Sequence, residues 1–96
     1  MAYEIEFSED AERHLADMTA RERKTVLDAI ETQLAWEAAV PSRNRKLLRA
    51  NPLAAWELRV GEWRVFYNVH AEQVAVIAVG QKAHNTLFLD GEEYQL

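Results

Sequence analysis

The sequence contains no cysteine. Disulfides and thiolate metal ligands are therefore excluded, and the fold must rest on packing and hydrogen bonds. Proline (two) and glycine (three) are scarce, so few positions punctuate the regular elements. No apolar run approaches the ~20 residues of a membrane span. The opening Met1–Asp10 has no basic segment followed by an apolar one, so no export leader is visible. The expected setting is the cytoplasm, with no membrane partner. No histidines stand at ligand spacing with carboxylates on one element, so neither a metal nor another cofactor is expected.

What is present is a chain of 96 residues, 49% hydrophobic, with three Trp, three Tyr and three Phe. That composition excludes a disordered chain, and the length fits a single domain over 1–96 with one two-layer core. The net charge of −5 argues against a general nucleic-acid binder. Positive charge is nevertheless concentrated. Residues 41–64 hold Arg43, Arg45, Lys46, Arg49, Arg59 and Arg64 against only Glu57 and Glu62, a basic island in an acidic protein.

Tyr3, Ile5 and Phe7 alternate with Glu4 and Glu6, which predicts a half-buried strand. Ser8 is a good N-cap with acids in the first turn, and Ala11, Leu15 and Met18 give the following helix its apolar face. Thr19-Ala20-Arg21-Glu22 matches a capping box. It opens a second helix with Val26, Leu27, Ile30 and Leu34 as its stripe, ending near Glu37 and before Pro41. Pro41–Pro52 has no clean period and reads as a loop, with room for a helical turn around Lys46–Leu48.

Three strands then follow at about Ala55–Val60, Trp63–His70 and Gln73–Gly80. A two-residue loop at Gly61-Glu62 places Val60 opposite Trp63, Arg59 opposite Arg64, Leu58 opposite Val65 and Trp56 opposite Tyr67. One face is then a core face of Trp56, Leu58, Val60, Trp63, Val65 and Tyr67. The other carries Glu57, Arg59, Arg64, Phe66 and Asn68. Two arginines directly opposite repel each other, so the pair reads as an anion site or as an ion-pair network with Glu57 and Glu62.

A second loop at Ala71-Glu72 would pair Phe66 with Ile77 and Arg64 with Val79. It leaves an apolar patch of Phe66, Ile77 and Val79 for the tail, a partner segment or a base to cover. V-A-V-I-A-V (Val74–Val79) is apolar on both faces, as in a central strand. Asp90-Gly91 marks a small terminal hairpin. His14 and His70 read as surface residues. The order β-α-α-β-β-β plus a tail implies an α+β fold, two N-terminal helices packed on one face of a small antiparallel sheet.

With that order, K-L-L-R-A-N-P (Lys46–Pro52), L-R-V-G-E-W-R-V-F-Y-N-V (Leu58–Val69) and V-I-A-V-G-Q-K-A-H-N (Val76–Asn85) make the chain resemble the RelE/ParE superfamily of type II toxin–antitoxin toxins. The resemblance covers nearly the whole length and implies a RelE-like fold and a cognate antitoxin as partner. RelE-like members cut mRNA in the ribosomal A site without a metal, whereas ParE-like members poison DNA gyrase. The expected function is ribosome-dependent mRNA cleavage. The alternatives are gyrase inhibition, or a degenerate toxin that only binds its antitoxin.

The resemblance also implies roles for particular residues. Arg64 falls where RelE-like enzymes hold the scissile phosphate, and Arg59, Lys46 and Arg49 fall at commonly basic positions. Lys82 follows the V-G pair where a RelE-type arginine stands. Phe88 lies near a RelE-type tyrosine but lacks its hydroxyl, and His84 lies near a catalytic histidine of YoeB-like relatives. The expected catalytic set is Arg64, His84, Lys82 and Glu57, with Glu57 as a base or a partner of Arg59. The expected RNA-binding set is Arg59, Lys46, Arg49, Arg45, Phe66 and Phe88. Trp56 and Trp63 are assigned to the core.

Overall fold

In the computed structural model of the chain, residues 2–95 are described. The opening strand β1 (Glu4–Phe7) leads into helix α1 (Glu9–Ala16) through Ser8, whose hydroxyl accepts from Ala11 N–H at 3.0 Å. Helix α2 (Ala20–Leu34) starts on the expected capping box, with the Thr19 and Glu22 side chains each accepting from the other's backbone N–H. Between the helices Arg23 reaches back to the carbonyls of Leu15 (2.9 Å) and Met18 (3.0 Å), satisfying the end of α1.

The sheet follows as β2 (Arg45–Leu47), β3 (Trp56–Val60), β4 (Trp63–His70), β5 (Gln73–Ala83), β6 (Thr86–Leu89) and β7 (Glu92–Tyr94), in the order β2-β3-β4-β5-β6-β7. Helices α1 and α2 cover one face. Ala11, Leu15, Met18, Val26, Ile30 and Leu34 pack there against Trp56, Leu58, Val65, Tyr67, Val74, Val76 and Val79. The expected core face of the first hairpin is therefore the helix face. Trp56 and Tyr67, paired across β3 and β4, stack with ring centroids 6.0 Å apart, and the buried Tyr67 hydroxyl donates to Ala38 O at 2.8 Å. Burial of that phenol raises its pKa above the ordinary value.

The β3–β4 register is the one read from the Gly61-Glu62 turn, Arg59 opposite Arg64 included. Four other features differ from expectation. Arg45–Leu47 is a short strand on β3 in place of a helical turn, with Arg45 opposite Leu58 and Leu47 opposite Trp56. Strand β5 runs past Gly80 to Ala83. Strand β1 joins β5 in parallel, Glu4 beside Gln73, so the mainly antiparallel sheet includes a parallel pair.

The fourth is a bulge between Phe66 and Tyr67, which pairs Phe66 with Ala78 and Arg64 with Gly80, one residue beyond the expected Ile77 and Val79. One extra residue in β5 lets both Val76 and Val79 face the helices, three positions apart, while Ala78 faces the other way. The bulge leaves backbone groups outside the ladder, and α1 with its cap supplies their partners. The Ser8 hydroxyl donates to Ile77 O at 2.6 Å, and the Val79 N–H donates to His14 Nδ1 at 3.0 Å.

The terminal hairpin forms as expected around Asp90 and Gly91, both at positive φ, and β6 extends the sheet beside β5. Gly80 is what allows this approach. A Cβ there would stand 2.6 Å from Leu89 Cδ2 and 2.7 Å from Phe88 O. Among the described residues no helix is long and apolar enough to cross a membrane.

Candidate functional site

On the face turned away from the helices, β3 contributes Glu57 and Arg59, β4 contributes Arg64, and β5 contributes Lys82. Strand β2 adds Lys46 opposite Glu57, and Arg49 follows in the next loop. Lys46, Arg49, Asn51, Glu57, Arg59 and Lys82 line a concavity of about 440 Å³. A second, of about 380 Å³, shares Glu57 and Lys82 and is completed by Asn85, Thr86, Glu93 and Tyr94. The two form one cleft with a carboxylate at its floor and cations around it.

Glu57 is the electrostatic centre of that floor. Its side chain is 10% exposed, and its two oxygens face different guanidinium groups, Arg64 Nε at 3.7 Å and Arg59 Nε at 3.9 Å. Arg64 is held further. One terminal nitrogen donates to the carbonyls of Gly61 (2.7 Å) and Trp63 (2.9 Å), and the side chain is 12% exposed. Its Nε is buried and makes no hydrogen bond among the described residues. Arg59, 45% exposed, projects into the cleft.

Four of the expected site residues lie elsewhere. Arg45 points to the helix face and is buried. Its guanidinium donates to Val40 O (2.9 Å), Gln33 O (3.3 Å) and Gln33 Oε1, with Glu37 at 3.8 Å, so it ties the loop after α2 to the sheet. Phe66 does face away from the helices but is fully buried, with Ala54 and Ala78 beneath Leu48, Leu53, Leu87 and Leu89. The tail and the 48–54 loop together cover the patch, leaving no face on which a base could stack. That loop is shaped by Asn51, whose Oδ1 accepts from Leu53 and Ala54 and whose amide donates to Arg49 O and Ala54 O.

Phe88 pairs with Gln81, one residue out of phase with Lys82 and Leu87, and so sits on the opposite face from the cleft. His84 occupies the exposed β5–β6 turn at φ +52, followed by Asn85 at φ +66, a turn position in place of a cleft wall. The cleft residues missed in the sequence are Asn51, Asn85, Thr86, Glu93 and Tyr94. Lys82, Leu87 and Tyr94 lie in one cross-strand row, a link visible only once the tail is laid beside β5.

His14 is a further correction, being buried where a surface residue was expected. It falls three after Ala11 and one before Leu15, inside the apolar stripe of α1. Because Nδ1 accepts from Val79 N–H, the ring proton of the neutral imidazole is on Nε2, which lies 3.0 Å from Asp90 Oδ1. Although 3.0 Å apart, the two are poorly aligned, and Nε2 makes no directed hydrogen bond. Arg13 donates to both Asp90 and Asp10 at 2.9 Å, clamping the hairpin turn to α1. The Arg13 hydrogen bond, and then the nearby His14 ring, hold the Asp90 carboxyl below the usual carboxylate range.

Residues 5–86 match the model of the ParE toxin of the type II toxin–antitoxin system parDE. No curated protein matches the chain. Among solved structures, the RelBE2 toxin–antitoxin complex from Mycobacterium tuberculosis superposes with a TM-score of 0.70 at 23% identity, over 84% of this chain and 99% of that one. At that identity the likeness establishes the RelE-like fold alone. The family match spans most of the sequence, and the chain belongs to the ParE toxin family, as the toxin of a type II toxin–antitoxin system whose partner is an antitoxin.

Proposed function

We propose that this toxin acts by binding a protein target, DNA gyrase, and not by cutting mRNA. The observation that carries the reading is the fixed state of Arg64, bound to two backbone carbonyls and faced by Glu57. Metal-free RNA cleavage needs phosphate neutralised, a 2′-hydroxyl deprotonated and a leaving oxygen protonated. Here the central arginine is engaged internally, His84 is on an exposed turn, and Phe88 faces the other side. Membership of the ParE family supports the same reading.

The second reading is ribosome-dependent mRNA cleavage. It is favoured by Lys46, Arg49, Arg59 and Lys82 gathered in one cleft of a protein with net charge −5. Under it Arg64 and Arg59 hold phosphate, Lys82 is an auxiliary cation and Glu57 is the base.

Induction without the antitoxin separates the two. The gyrase reading expects DNA synthesis to fall before protein synthesis, purified gyrase to lose supercoiling activity, and Arg64→Ala to remain toxic if it folds. Protein synthesis falling first, with new mRNA ends and an inert but folded Arg64→Ala, would reject it. Unimpaired growth with folded protein would reject both and leave an antitoxin-binding module.

A further inference from the structure

We propose that Glu57 is a built-in counter-anion that keeps the cationic cleft from engaging RNA. A carboxylate and a phosphodiester both offer two charged oxygens to a guanidinium. Glu57 offers its two to Arg59 and Arg64, the cations an incoming phosphate would have to take from it. Distances of 3.7 and 3.9 Å mean that charge, without a directed hydrogen bond, holds both arginines. Arg64 Nε remains a buried donor with no acceptor among the described residues. Both halves of the cleft meet at Glu57 and Lys82, so the carboxylate that faces Arg59 and Arg64 also lines the concavity that holds Lys46, Arg49, Arg59 and Lys82.

An uncountered arc of this kind would bind single-stranded nucleic acid through counterion release, without regard to sequence. Such binding would divert a toxin that acts on a protein. Glu57 therefore selects the class of partner by weakening the wrong one. Its biological meaning rests on the protein-binding reading above. Its test uses RNA affinity of purified protein, so either can fail while the other stands.

The experiment measures binding of a short fluorescent single-stranded RNA by anisotropy, between about 50 and 200 mM salt. Glu57→Gln should bind about tenfold tighter than the parent, with a salt slope steeper by about 0.7 for each additional phosphate neutralised. Glu57→Asp keeps the charge and should bind as weakly as the parent. Glu57→Gln binding no tighter, or Glu57→Asp binding as tightly as Glu57→Gln, would overturn the proposal. If Glu57→Gln does not fold, Arg59→Ala/Lys82→Ala in the parent decides. With the cleft already countered by Glu57, residual RNA affinity should change less than about twofold, whereas a fall of about tenfold would mean that the native cleft is open to RNA.

Discussion

The two faces of this sheet are built from alternate residues of the same strands, yet they meet their polar groups differently. On the helix side Arg45 is buried with its guanidinium directed at backbone and side-chain oxygens, and His14 accepts the N–H that the β5 bulge sets free. On the open side Arg64 is nearly as buried, but its Nε has no hydrogen-bond partner among the described residues and Glu57 answers it only through charge. A buried ion whose donors are aimed at fixed oxygens works as a structural tie. Arg64 is fixed as well, by the Gly61 and Trp63 carbonyls at one terminal nitrogen, but its Nε is met by charge alone. Sequence position does not separate the two kinds, since Arg45 and Arg64 belong to the same basic island.

The contrast can be broken at four points. Leu58 is fully buried beneath the helices, and Leu58→Ala should cost about 3 kcal/mol. Urea unfolding would show it as a lower midpoint with an unchanged slope, and a loss under about 1 kcal/mol would mean that the helices do not seal that face. Glu57→Gln leaves Arg64 without its counter-charge and should cost about 2 kcal/mol, less than a closely paired buried ion because the parent contacts are long. Adding Arg64→Gln should recover most of that loss, and failure to recover it would show that the pair is not the cause.

His14→Leu keeps the apolar stripe of α1 but orphans the Val79 N–H. It should cost about 1–2 kcal/mol, with faster hydrogen exchange near the bulge, whereas a surface histidine would tolerate the change. The smallest effect is the pH dependence of the hairpin clamp. The Asp90 carboxyl is held below its ordinary range, chiefly by Arg13, so its contribution is present above the unfolded-state value and is lost as pH falls through the folded one. The stability difference between the parent and Asp90→Asn should therefore be constant near neutrality and shrink in acid. A difference that grew in acid would reverse the sign and refute the clamp.

How much is legible in the sequence follows from where local signals exist. Gly61-Glu62 fixes a two-residue turn, and a turn fixes register, so the sequence alone sets Arg59 and Arg64 opposite each other. The Ala71-Glu72 turn is equally visible, but Val74–Val79 is apolar at every position, and a strand apolar on both faces gives no phase from which to see an inserted residue. Arg45 and Lys46 share one basic run, and only the pairing of β2 with β3 sends the first inward and the second outward. His14 stands at core spacing on α1, and only its polarity argues for the surface. The cover over Phe66 comes from two distant segments, for which the chain has no local signal.

The partnership of β1 with β5 bears on how the molecule comes into being. Ser8 and Ile77, joined by a hydrogen bond, are 69 positions apart, and among the described residues β1 has only β5 as a neighbour in the sheet. A polypeptide threaded out N-terminus first carries β1 unmatched until residues 73–76 have followed it, and α1 waits with it for the bulge it must cap. Closure of the core around α1 is thus deferred until β5 has emerged, which makes the pairing of β1 with β5 a late, long-range step in folding.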